Sequence, residues 1–532
     1  MLELLKRMLG YRRLADNTMG VKQQKVDGPL LNGSLEKNLA VLQTRFANST
    51  DVVYRQFKLG FNAKNGAALV YIDGIVSPAL VNDTILKPLM FELTQETNRL
   101  KELNHNNIID LLQNYALPNN SVENSAYLEE IIAGILSGKT ALLLDGTHMG
   151  LLINTKGWES RGVEKAETEN VVRGPREGFN ETIGVNVALL RRKIKSTNLR
   201  IESLTMGRQS STTVSIAYVH DIANPKLITE VKLRLAKIDI DAVLESGYIE
   251  QFIEDQLSIF PTIGNSEKPD VVAGKVLEGR VAVFVDGTPF VLTVPFLFSE
   301  ALQSAEDYYS RPYSVTIVRW IRVAALFITV LSPALYISLE SFQPDLLPTL
   351  LVVTMAGARE GIPYPAYVEV FIMGVIFEIM REAGVRMPRP IGQAVSIVGA
   401  LVLGEAAVQA GLISNTMVIV VALTAIASFV LVPLGDSIII LRIFFALSAM
   451  FMGLFGILAG MILVLVHLAK LRSFGVPYLY PVAPGNVQGL KDVLIKAPVW
   501  SMQTRPALLT PLAGRRRVAK AAKPKNERSQ QP

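Results

Sequence analysis

Residues 365–384 read PAYVEVFIMGVIFEIMREAG. The stretch is apolar enough to enter a bilayer, yet it carries Glu369 and Glu378 in its body and Arg381 and Glu382 at its exit. A charged side chain at the centre of a membrane helix costs on the order of 2.5–3.5 kcal/mol, so such groups face a bundle interior or water rather than lipid. What surrounds the stretch therefore decides the fold. Four further segments, 317–339, 391–413, 416–434 and 438–468, each reach the roughly 20 apolar residues that a crossing needs. The region 346–380, which contains the quoted residues, is split at AREGIPYP by charges and two prolines. Its first half, LLPTLLVVTMAGA, would rise only about 20 Å as a helix. A broken or re-entrant arrangement is expected, which at membrane depth requires burial in protein or a water-filled path.

Working outward, the chain of 532 residues is too long for one hydrophobic core. Apolar residues make up 50% of it, and the excess falls after Tyr313. The composition predicts an α/β or α+β soluble N-terminal part of two subdomains, followed by an α-helical multi-span membrane domain. The expected boundaries are a flexible segment over 1–32, a first subdomain over 33–155, a second with its connector over 156–312, a membrane domain over 313–470 and a basic tail over 471–532. The helical pattern LEKNLAVLQTRF leads to the first of three strand-turn signals, AALVYIDGIV (67–76), ALLLDGTHMGLLI (141–153) and VAVFVDGTPFVLTV (281–294). Each is an apolar run ending in Asp-Gly, where glycine supplies the positive φ of a tight turn.

Several chemistries drop out. The chain has no cysteine and four scattered histidines, which removes thiol nucleophiles, disulfides and paired-histidine metal sites. GILSGKT at 134–140 is one residue short of a phosphate loop and precedes its strand, so a helix-ending glycine and a turn are expected there. No catalytic constellation or cofactor site emerges, and no enzyme is expected. The net charge of +6 owes much to the C-terminal end, which points to membrane lipids rather than nucleic acid. The polar segment VVRGPREGFNETIG (171–184) holds Arg173, Arg176 and Glu177, read either as a structured inter-domain connector or as a site for an anion or a neighbouring subunit.

The N-terminus lacks an apolar core of signal-peptide length, so the soluble part is expected in the cytoplasm together with the basic tail. Both termini inside require an even number of crossings, four or six. Either count places the arginine-rich loop 381–389 outside, against the positive-inside rule. Glu378 and Glu382 have Arg381 and Arg386 within a helical turn and suit interfacial pairs. Glu369 and Glu405 have no cation one turn away; each is read as a pore or polar-interior residue, or as a protonated carboxyl bonded between helices. Gly392, Ser396, Gly399, Ala406 and Ala410, and separately Gly453, Gly456 and Gly460, form small-residue stripes suited to close helix contact.

The segments LVYIDGIV, VVRGPREGFNETIGVNVALLRRKI, EGRVAVFVDGTPFVLTVP, REGIPYPAYVE, FEIMREAGVRMPRPIGQAVSIVGALVLGEAAVQAG and LRSFGVPYLYPVAP together resemble the A-subunit family of GerA-type spore germination receptors. The resemblance implies a multi-pass subunit in the spore inner membrane, working with a transporter-like B subunit and a lipoprotein C subunit. It also implies a homo-oligomeric ring, a pentamer, that conducts cations when nutrient binds. A stage V sporulation paralogue shares these motifs, and the sequence leaves the two readings open, beside a non-conducting scaffold or a transporter. On the channel reading Glu369, Glu405 and Glu378 are the candidate pore or polar membrane residues, because rings of carboxylates attract cations.

Overall fold

The computed structural model describes residues 29–47, 49–59, 66–92, 109, 112–113, 121–157, 166, 168–169, 171–255, 258–386, 404–502 and 504–510. The chain divides into two compact units, residues 1–159 with 195–197, and residues 160–194 with 198–532.

The first unit is built on an antiparallel sheet of β1 (Val52–Lys58), β2 (Gly66–Ile72), β3 (Val122–Ser125), β4 (Lys139–Leu144) and β5 (Gly150–Asn154), in the order β1-β2-β4-β5-β3. Strand β4 is buried at every position after Lys139, which requires cover on both faces. Helices α1 (Leu35–Phe46) and α2 (Leu128–Leu136) pack on the sheet. Val81, Ile85, Leu86 and Leu89 join Leu142, Leu144 and Leu151 in a core on its other side. Gly138, at φ +88, ends α2 and turns the chain into β4, so GILSGKT is the helix stop its spacing predicts.

The soluble part of the second unit repeats this plan. Its strands β6 (Leu199–Met206), β7 (Thr212–Val219), β8 (Gly264–Ser266), β9 (Val281–Val285) and β10 (Val291–Val294) take the order β6-β7-β9-β10-β8. Helices α3 (Ile183–Lys193) and α6 (Pro269–Leu277) cover one face through Leu190, Val272 and Val276. Helices α4 (Pro225–Ala236) and α5 (Ser246–Ile253) cover the other through Val231, Ile249 and Ile253.

The repeat extends to individual hydrogen bonds. Asn38 Oδ1 accepts from Asn32 N at 2.8 Å and Asn38 Nδ2 donates to Asn32 O at 2.6 Å; Asn186 and Asn180 make the same two bonds at the same distances. Asp145 Oδ1 accepts from Leu35 N at 3.0 Å, and Asp286 Oδ1 from Ile183 N at 3.1 Å. The Asp-Gly-Thr turn of each β-hairpin thus tethers the start of the helix that opens each unit's sheet. Of the three expected strand-turn units, the second and third are these hairpins. The first ends differently, since Val76 bridges Lys156 instead of continuing as a neighbouring strand.

The helical region comprises α7 (Pro312–Ser341), α8 (Thr349–Ala358), α9 (Ala366–Arg386), α10 (Gly404–Gln409), α11 (Asn415–Ser428) and α12 (Gly435–Lys470). Two stretches, Pro312–Ser341 and Val432–Lys470, are long and apolar enough to cross a membrane. The expected segment 391–413 lies largely outside the described residues, as do Gly392, Ser396 and Gly399. The expected single span 438–468 is corrected. Gly453 stands at φ 56 and ψ −137 inside α12. A Cβ on Gly456 would lie 2.1 Å from Ser448 O, and one on Gly460 would lie 3.0 Å from the Phe444 and Phe445 rings. In a straight helix these residues would be more than 10 Å apart, so α12 is two antiparallel arms, each about 25 Å long, folded at Gly453.

Both ends of that hairpin meet the soluble part of the unit. Ser437 Oγ donates to Ile259 O at 2.6 Å, and the His467 and Phe260 rings stack with centroids 6.0 Å apart. Its tip meets the end of α7, where Leu454 N donates to Gln343 Oε1 at 3.3 Å. Helix α11 runs against α7, joined by Tyr336 to Ser414 at 2.9 Å and Ser332 to Thr424 at 2.8 Å. After β11 (Arg472–Ser473) and β12 (Val476–Pro477) the chain to residue 510 folds back onto this unit. Asp492 receives buried Arg319 of α7 at 3.1 Å, and Arg505 Nε donates to Leu277 O at 3.1 Å.

Candidate functional site

The charges that flank the proline break come together. Glu340 sits in the last turn of α7, Arg359 directly follows α8, Glu369 lies in the first turn of α9, and Ser414 caps α11. Helix α8 ends because the turn at Gly361, φ +90, and the two prolines after it cannot continue it. Arg359 Nη1 reaches Glu340 Oε1 at 2.5 Å and Arg359 Nη2 reaches Glu369 Oε1 at 3.1 Å. Glu369 Oε2 accepts from Ser414 N at 2.9 Å, and Arg359 Nη2 also donates to Tyr364 O at 2.8 Å. Ser414 Oγ accepts from Met417 N at 3.2 Å, the N-cap bond that starts α11.

One guanidinium thus stands between two carboxylates, and Glu369 is fully buried. Glu369 Oε1 meets Arg359 as an ion pair without hydrogen-bond geometry, and Glu340 Oε2 and Arg359 Nε have no hydrogen-bond partner among the described residues. The cluster carries one more negative than positive charge and ties together the ends of four helices.

The other expected residues lie elsewhere. Glu378 is pinned between Arg381, at 2.8 Å, and Arg442 on the first arm of α12. Because Arg442 follows Ser437 by little more than a turn, this contact puts the Arg381–Arg386 end of α9 on the side of the soluble sheet. This contact does not fit the expected placement of that loop on the side away from the soluble part. Glu382 and Arg386 form an exposed pair at 2.6 Å, a geometry that contributes little. Glu405 is exposed and, among the described residues, accepts only from Gln409 Nε2, at 3.1 Å.

In the connector, Glu177 is engaged within the chain by Arg192 at 3.4 Å and Lys193 at 3.2 Å. Burial opposes ionisation there, but bonds to Lys193 and Arg192 outweigh it and hold the Glu177 carboxyl below its ordinary range. Arg173 and Arg176 are exposed. Sequence reasoning found Glu369 but missed Arg359 and Glu340 as its partners, because the pairing crosses the break instead of following helical spacing. The one available signal was the presence of opposite charges on both sides of the two prolines.

Residues 40–508 match the family described as Bacillus/Clostridium GerA spore germination protein. Spore germination protein KA of Bacillus subtilis (strain 168) is 42% identical over 91% of this chain and 88% of its own. The uncharacterized membrane protein YfkQ of the same strain is 43% identical over 93% of this chain and 95% of its own. The crystal structure of the N-terminal domain of the A subunit of the Bacillus megaterium spore germinant receptor GerK3 is 39% identical, covering 51% of this chain and 98% of that one, with a TM-score of 0.41.

Proposed function

The chain belongs to the GerA family of spore germination proteins, and from that premise we propose that it is a multi-pass inner-membrane subunit of a spore germinant receptor, assembling with copies of itself into a ring that conducts cations when nutrient binds. A B subunit of transporter type holds the nutrient, and a lipoprotein C subunit completes the receptor. Helices α7, α9 and α11, the expected segment 391–413 and the two arms of α12 make six crossings, with the soluble part and the C-terminus on the cytoplasmic side. Helix α8, 10 residues long with Arg359 returning to the end of α7, stays at the far surface.

The observation that carries the reading is the Arg359 cluster. Charges buried where apolar helices meet are costly as a scaffold and useful as a latch, because a small change in the balance of ion pairs releases four helix ends at once. Glu369 borders the path as part of that latch, Glu405 supplies the outward carboxylate ring, and Glu378 anchors α9 to α12. Arg173 and Arg176 belong to the contact between copies. The test is cation flux through liposomes containing the full receptor, with nutrient added. The parent is expected to conduct, Glu405→Gln to lose conductance or selectivity, and Glu369→Gln to leak without nutrient. A parent that passes no cations overturns the channel reading, whereas variants indistinguishable from a conducting parent remove Glu405 and Glu369 from the control of permeation.

A further inference from the structure

Two surfaces on the soluble part of the second unit are unmatched among the described residues. On the α5 side, Leu244, Tyr248 and Phe252 follow one another at four-residue steps and are 66%, 46% and 53% exposed, while Ile249 and Ile253 of the same helix are in the core. Glu245, Glu250 and Glu254 accompany them, with Asp436 close by. Among the described residues no lysine or arginine pairs with Glu250 or Asp436, and these acids form no group able to hold a metal ion. Burial, and then the charges of Glu254, Glu245 and Asp436, push the Glu250 carboxyl up to about 7. An apolar face with an acidic margin lacks its counterion.

The counterpart stands where β8 ends and α6 begins, toward the opposite face of the sheet. Val172 is 88% exposed, and Arg173 and Arg176 beside it form no ion pair among the described residues. The tip is nevertheless held firmly, since Lys268 Nζ donates to Pro175 O at 2.7 Å and Gly174 lies against the Tyr309 ring. A loop already fixed in shape loses little freedom on docking.

We propose that the Val172–Arg176 tip of one copy docks on the α5 face of the next, Val172 against Tyr248 and Phe252, and the two arginines beside Glu250 and Glu254. Charge and apolar character match on surfaces of the same chain, and because the two surfaces differ the contact is heterologous, which closes into a ring or extends as a filament. This rests on the reading of Arg173 and Arg176 as contact residues and adds what they contact.

The chain has no cysteine, so the test needs only two introduced ones. In membranes holding the full-length protein, mild oxidation of Val172→Cys/Tyr248→Cys is expected to give a ladder of covalent multimers, with neither single variant doing so. Arg173→Glu/Arg176→Glu is expected to abolish the ladder, and adding Glu250→Lys/Glu254→Lys to restore it. Loss of assembly on reversing the arginines, with no ladder and no rescue, would leave the tip as a contact and overturn α5 as its partner. Unchanged assembly in every variant would remove both readings.

Discussion

Glu250 and Glu369 are both acids in surroundings that disfavour a charge, and their relief differs. Among the described residues Glu250 has no cation, and its carboxyl rises from 4.5 to about 7 through burial first and neighbouring acids second. Between those values the folded chain holds a proton that the unfolded chain has released. Stability from this group is therefore greatest below about pH 4.5 and declines as pH rises toward about 7. Glu250→Gln should flatten that decline in the thermal unfolding of the full-length, unassembled protein in detergent; a variant with the parent's slope would show that Glu245, Glu254 and Asp436 do not govern the site. Glu369 instead has Arg359. Removing one partner of a buried pair strands the other charge, at about 3–5 kcal/mol. Arg359→Gln should lower Tm sharply, while Arg359→Met with Glu340→Gln and Glu369→Gln should recover most of the loss. If the triple variant is no better than the single one, the loss is one of packing and the electrostatic account fails.

Among the elements, those set by local chemistry were legible in the sequence. LEKNLAVLQTRF is a helix over the residues its periodicity predicts, and the two Asp-Gly-Thr segments are hairpins. The doubled architecture was half visible, because Asp-Gly-Thr recurs openly whereas its partners, Asn-x-Ser-Leu-x-x-Asn at 32–38 and Asn-x-Thr-Ile-x-x-Asn at 180–186, differ at every position between the two asparagines. The fold of α12 was hidden for a physical reason. Hydropathy registers how apolar a stretch is and is blind to its direction, so Gly453, Gly456 and Gly460 read as a stripe for contact with another helix when the contact is between two arms of one segment. The reversal depends on Gly453, whose φ and ψ suit glycine alone and whose added Cβ would lie 2.9 Å from Phe342 Cβ. Gly453→Ala should cost about 1–3 kcal/mol and expose the tip to proteolysis. Gly357→Ala is the control, since that glycine lies within α8 with open space around its Cβ position, and should be neutral or slightly stabilising. Equal effects of the two substitutions would mean that the tip tolerates other conformations.

Across the whole second unit, the folded-back C-terminal chain and the hairpin bind the helical region to the soluble sheet at several points. Arg319, fully buried near the start of α7, contacts Asp307 of the preceding segment at 2.9 Å and Asp492 of the returning chain at 3.1 Å. This junction ties the 305–308 segment and the returning chain to α7, whose far end carries Glu340 of the Arg359 cluster. The sequence displayed these charges but gave no sign that they meet, because Asp492 is remote along the chain and contact at that separation leaves no periodic trace. The same holds for orientation. Counting spans put residues 381–389 outside despite their three arginines, whereas the Glu378 contact to Arg442 puts the end of α9 beside the soluble part, where the positive-inside rule would have it. Membrane-impermeant thiol labelling checks this directly in a chain without cysteine. In sealed spheroplasts Arg386→Cys and Lys470→Cys should resist the reagent until the membrane is opened. Met452→Cys, at the exposed tip of the α12 hairpin, should label at once. Labelling of Arg386→Cys before lysis would return its loop to the outside, and protection of Met452→Cys would make the hairpin a re-entrant element that turns back before reaching the far surface.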